Sequence, residues 1–80
     1  MPIPGPGIDF SRRHRESRNL RFADFSGGLE LSTSLFYDSW LENARFTQAN
    51  LAGASFISSR LTNADFSQAN LLAADFNFAT

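Results

Sequence analysis

Residues 48–62 read QANLAGASFISSRLT. Leu51, Phe56 and Leu61 fall five apart, and Ala49, Ala54 and Ser59 keep the same interval two residues earlier. An α-helix has no use for this spacing. Successive bulky residues would sit ~140° apart around its axis, so no apolar stripe would form. A simple strand fails too, because an odd spacing flips the side chain to the opposite face at each repeat. A chain that bends every five residues succeeds. One side of a square β-coil points two side chains inward, one bulky and one small, and three outward.

The pattern extends in both directions. The bulky series runs Leu31, Phe36, Leu41, Phe46, Leu51, Phe56, Leu61, Phe66, Leu71 and Phe76 without a gap. Two residues earlier stand Leu29, Ser34, Ser39, Ala44, Ala49, Ala54, Ser59, Ala64, Ala69 and Ala74. Backwards, Phe25 with Ala23 fits only if one extra residue lies before Leu31. Gly27-Gly28 stands there, and glycine is what a local bulge would use. Leu20 keeps the bulky position, but Arg18 occupies its small one, so this unit is frayed. Before it the pattern fails at Arg15, and GIDFS at residues 7–11 is an isolated look-alike. Leu and Phe alternate, so four fives make one turn in which Phe36, Phe56 and Phe76 stack, as do Leu31, Leu51 and Leu71. Stacked turns lie ~4.8 Å apart, a spacing at which equal side chains nest.

The units NADFS, QANLL, AADFN, QANLA and FADFS resemble the pentapeptide-repeat family, whose consensus is A-[DN]-[LF]-x-x. The resemblance covers residues 22–79 well and reaches weakly back to Leu20. It implies an all-β fold, a right-handed quadrilateral β-helix, here a β-solenoid of about three turns. It also implies a non-enzymatic protein. The best understood members mimic duplex DNA and bind gyrase and topoisomerase IV. They are long, strongly acidic rods, often dimerised through a C-terminal helix. The present coil is short and modestly charged, and no helix-forming run follows Phe76 within the eighty residues.

Composition sets the other bounds. Eighty residues make one small domain with a core near the lower limit for independent folding. The absence of cysteine excludes disulfides and thiolate metal sites. The net charge of −1 is segregated: residues 1–21 carry five arginines against Asp9 and Glu16, and residues 22–80 carry Arg45 and Arg60 against six acids. No apolar run approaches the ~20 residues that span a bilayer, and the start MPIPGPGIDFSRRHR lacks a secretory apolar core. A cytoplasmic location without a membrane span is expected. The chain divides into a leader and N-terminal cap segment, residues 1–17, and a solenoid, residues 18–80. PIPGPG at residues 2–7 reads as extended, and the basic run from Ser11 as a short helix with Ser11 at its N-cap, covering the open first turn.

Function must be sought on the outward positions. A twenty-residue turn, with the slip counted, puts Arg45 between Asp24 and Asp65, Arg21 over Glu42, Trp40 on Arg60, and Asn50 over Asn70. Ion pairs of this kind are surface pairing worth ~0–1 kcal/mol each. Leu35, Tyr37, Trp40 and Ile57 are apolar yet outward, and form the candidate partner-binding patch. His14 is the only histidine and has no partner for a metal site. No catalytic residues and no cofactor are expected. Five arginines without interleaved aromatics are a weak nucleic-acid signal, so a nucleic-acid partner is not expected. The leading expectation is a protein-protein interaction or scaffold module. Alternatives are a DNA-mimicking topoisomerase or gyrase binder and the N-terminal fragment of a longer solenoid. Phe76 and Phe78 lie at the last side, where an uncovered end would invite end-to-end contact with a second copy, a homodimer in the simplest case.

Overall fold

The structure, a computed structural model, describes residues 19–80. The expected leader and cap over residues 1–17, the helix from Ser11, His14 and the frayed position Arg18 lie outside the described residues. Within them there is no helix, and the chain winds into a stack of turns. Parallel bridges set the register. Asn19 pairs with Trp40 and Asp24 with Arg45, 21 residues apart, whereas Glu30 with Asn50, Leu35 with Ser55 and every later pair are 20 apart. One turn is therefore four five-residue units, and each unit lies against the unit one turn on.

The hydrogen bonds that hold this register run between turns. Leu31 N–H donates to the Asn50 carbonyl (2.8 Å), Thr33 N–H to Ala52 (2.9 Å), and Asn50 N–H back to Leu29 (2.9 Å). The same trio recurs unit after unit. Within a unit the small residue closes the bend: Ala54 N–H donates to the Leu51 carbonyl at 3.0 Å. The sequence thus satisfies its backbone groups without any long strand.

Each bend carries one residue in the left-handed region, two places after the bulky one. These include Thr33 (φ 57°), Asn43 (φ 62°), Gly53 (φ 71°) and Ala73 (φ 59°). Gly and Asn enter this region readily, whereas other residues are penalised by a Cβ contact of roughly 1–2 kcal/mol. The slip predicted before Leu31 is present as two consecutive left-handed glycines, Gly27 (φ 89°) and Gly28 (φ 78°). They absorb one extra residue while keeping Phe25 in the column of Phe46, ring centroids 4.9 Å apart.

The core is a ladder of rings. Phe36 stacks on Phe56 at 4.9 Å, Phe46 on Phe66 at 5.1 Å, and Phe56 on Phe76 at 5.1 Å, all within 3° of parallel. Between the two columns the rings meet edge to face, as Phe46 and Phe56 do at 5.6 Å and 87°. Both geometries suit the aromatic quadrupole and add about 0.5–1.5 kcal/mol per pair beyond burial. The small residues Ser34, Ser39, Ala44, Ala49, Ala54 and Ser59 are fully or almost fully buried at the corners. A hydroxyl there needs a partner, and Ser59 Oγ donates to the Phe36 carbonyl one turn back.

One expectation needs correction. The bulky residues of the last turn are not buried: Leu61, Phe66 and Leu71 are half-buried, and Phe76 is 37% exposed. Described chain covers them from one side only.

Replacing Phe56 by Ala removes a ring with neighbours on both sides in its column and edge contacts across the core, and should cost ~3–5 kcal/mol in chemical denaturation. Replacing Ala73 by Gly relieves a left-handed Cβ and should raise stability by roughly 0.5–1 kcal/mol after the unfolded-state entropy is offset. Gly53→Ala should lower it, although the added methyl would meet only Thr33 Cγ2 at an ordinary 3.5 Å.

Candidate functional site

Outward residues form columns because the register is fixed. Four columns arise from the residue just before each bulky one, and they differ in chemistry.

In the first, Glu30, Asn50 and Asn70 are linked through side chains. Asn50 Nδ2 donates to Glu30 Oε2 (2.9 Å), and Asn70 Nδ2 donates to Asn50 Oδ1 (3.2 Å). Each also accepts from the backbone N–H two residues on: Ser32 to Glu30 (3.1 Å), Ala52 to Asn50 (3.2 Å), Leu72 to Asn70 (3.1 Å). These are Asx-type turns, and they explain why an acid or amide precedes so many bulky residues. The second column, Asp24, Arg45 and Asp65, uses the same device at both acids. Ser26 N–H and Ser67 N–H donate to their carboxylates at 2.9 Å each. Arg45 Nη1 lies 3.8 Å from Asp24 Oδ2, as the column assignment predicts.

The third column departs from this chemistry. Trp40 takes the place of an Asx residue and is flanked by two guanidiniums, Arg21 at 4.6 Å and Arg60 at 5.2 Å from the ring centroid. Glu42 ties both, with Arg21 Nε at 3.3 Å and Arg60 Nη1 at 3.9 Å. Sequence reasoning finds Arg60 and the Arg21–Glu42 pair but misses Arg21 on the ring. The signal was available, since Asn19 precedes Arg21 and pairs with Trp40 across the 21-residue register.

The fourth column is Leu35, Ser55 and Asp75. Leu35 accepts nothing, and Ser55 Oγ is buried without a hydrogen-bond partner. Tyr37 and Ile57 stack one turn apart beside it. Leu35, Tyr37, Trp40 and Ile57 thus fall on one side and its adjoining corner, all half-buried rather than fully exposed. Phe78 continues this side in the next turn and is 86% exposed. Phe22 and Leu72, 72% and 74% exposed, were missed by the sequence reading. Counting bend positions finds both, because they follow Leu20 and Leu71 by two residues and one.

Among the described residues there is no pocket, no cluster of three or more metal-ligating side chains, and no helix long and apolar enough to cross a membrane. Three acids respond to the turns. Hydroxyl and backbone donors of Ser26 and Ser67, with a smaller push from Arg45, hold Asp24 and Asp65 below the usual carboxylate range. Ser32 and then Asn50 do the same for Glu30.

A lowered folded-state pKa stabilises the protein above the unfolded value and ceases to do so as pH falls through the folded one. Melting temperature should therefore be flat above the ordinary values of 3.8 and 4.5 and drop below them. Ser26→Ala combined with Ser67→Ala should flatten that acid limb, which melts recorded between pH 6 and pH 2.5 will test.

A search of curated proteins returns no match. The pentapeptide-repeat family matches residues 31–68 and 49–80, with eight copies of the repeat. Together these matches span residues 31–80, the stretch in which five-residue units, inward Leu and Phe and inter-turn bonds repeat without interruption, and the chain belongs to the pentapeptide-repeat family, whose repeats build β-solenoids.

Proposed function

We propose that this chain is a non-enzymatic protein-protein interaction or scaffold module of the cytoplasm. Its framework is a right-handed quadrilateral β-helix of about three turns with an N-terminal cap segment. The observation that carries the reading is the departure of one side from the turn-capping pattern. Leu35, Tyr37, Trp40 and Ile57 are apolar at positions where other units of the coil carry Asp, Asn, Ser and Thr. Apolar residues aligned by the register of a rigid scaffold form a contiguous patch of the kind that marks partner sites. A surface without a pocket among the described residues suits a protein better than a small molecule.

The test uses a photo-crosslinking residue placed at Tyr37 and, as control, at Gln48. A defined protein adduct from Tyr37, absent from Gln48 and lost when Ile57 is changed to Lys, is the expected result. Equal labelling from both sites would overturn the reading.

The DNA-mimic alternative is not favoured by the charges. Three arginines of the coil are engaged with its acids. A stack of about three turns is roughly 15 Å tall and would need about nine negative charges to match duplex DNA. Supercoiling by gyrase should be unaffected at submicromolar protein. A second copy docked end to end is the partner reading supported by Phe76 and Phe78, and light scattering on the eighty-residue chain, with both changed to Asp as control, separates dimer from monomer.

A further inference from the structure

Charge is divided unevenly among the sides of the coil. Among the described residues the cations are Arg21, Arg45 and Arg60, and each lies 3.3 to 3.9 Å from Glu42 or Asp24. None belongs to the side built on Phe36, Phe56 and Phe76; Arg60, at the adjoining corner, is turned to Trp40 and Glu42. That side carries Asp38 and Asp75 instead, and among the described residues neither carboxylate has an ion pair. The register sets them at opposite corners of the face. Leu35 heads the column that ends in Asp75, Tyr37 and Ile57 stand in the middle, and Asp38 heads the column that ends in Phe78. Two turns of ~4.8 Å put the carboxylates roughly 10 Å apart along the coil, with apolar surface between them.

Folding does not require either charge. Asp38 is a left-handed bend residue (φ 58°), and asparagine fills the same place at Asn43 and Asn63. Asp75 accepts the Asn77 N–H at 2.9 Å, as Asn50 and Asn70 accept theirs. An amide would serve at both positions, so the two negative charges are available to something outside the coil.

We infer that this side takes a protein segment whose bulky apolar centre is bracketed by two cationic side chains, lysine or arginine. The inference rests on the interaction surface proposed above and names its partner. An apolar residue seated on Ile57 between Tyr37 and Phe78 removes water from the face. Carboxylates at its edge lose hydration as that happens and favour a partner that brings opposite charge. A second copy docked by the same side brings carboxylates and no cation. A nucleic acid or an anionic lipid surface is repelled by the same two groups.

Random linear peptides displayed on phage are the probe, selected against the full chain. Enriched sequences should place Lys or Arg on both sides of a bulky apolar residue, and a synthetic copy should shift the amide resonances of Tyr37 and Ile57. Asp38→Asn with Asp75→Asn keeps both local roles. It should leave the melting temperature at neutral pH unchanged, weaken the peptide about fivefold or more, and flatten the salt dependence of binding. Asp38→Lys with Asp75→Lys should enrich acidic brackets instead. Apolar peptides without paired cations, or an affinity indifferent to the double Asn variant, overturn the inference and leave the interaction surface standing. Enrichment of no peptide that depends on Ile57 overturns both. A dimer in light scattering that Ile57→Lys dissolves gives the side to a second copy and also overturns the inference.

Discussion

Everything inward of the backbone answers to one distance, the rise between stacked turns. Paired backbones approach to ~4.8 Å, and the phenylalanine rings stack at 4.9 to 5.1 Å. A flat ring lying on an identical ring fills that interval with neither void nor overlap. A leucine on a leucine does so by nesting branches. Mixing the two within a column would leave mismatched surfaces, which explains the strict alternation along the chain. The corners obey the same limit from the other direction, since only a methyl or a hydroxymethyl fits where the chain folds back on itself.

That distance also dictates the conformational cost. Bending every five residues requires a left-handed residue in each unit, and most of these are not glycine. The cost recurs with each unit and is offset locally. An Asp, Asn or Glu before the bulky residue accepts the N–H two places on and fixes the bend. Between turns the backbone bonds supply the remainder. Stability is thus a sum over near-identical units, each dependent on its neighbours above and below.

The inward half of this design was legible in the sequence because each inward residue meets several neighbours and tolerates little variation. Leu31 through Phe76 announce themselves at intervals of five, and Gly27-Gly28 marks the slip through a conformation glycine adopts readily. Arg45 beside Asp24 and Asn50 under Asn70 followed from the register alone. The outward half was only partly legible. Long side chains choose among several neighbours of similar energy, so Arg21 could pair with Glu42, lie on Trp40, or do both, and it does both. Exposure at Phe76 and Phe78 was expected of an uncovered last side, but its reach back to Leu61, Phe66 and Leu71 was missed, because periodicity says which way a residue points, not whether a turn lies over it. The patch at Leu35, Tyr37, Trp40 and Ile57 was legible as composition, but a rigid surface carries no record in its own sequence of what rests against it.

The positions that abandon the Asx residue bear most directly on function. There are five in the middle of the coil: Leu35, Trp40, Arg45, Ser55 and Arg60. Three are compensated. Arg45 gains a carboxylate in the neighbouring turn, and Trp40 and Arg60 gain each other and, through Glu42, Arg21. Leu35 and Ser55 gain nothing comparable. Leucine forgoes the bend's acceptor, and the Ser55 hydroxyl is buried with no partner, a desolvation cost of about 1–3 kcal/mol for such a group. Both lie in one column, adjacent to Tyr37 and Ile57. A repeat that caps its bend at Asp75 but forgoes the cap without compensation at Leu35 and Ser55 is sacrificing folding energy at those two positions. Such a loss supports the proposed interaction on this side of the coil rather than on the amide ladder or the Asp–Arg column.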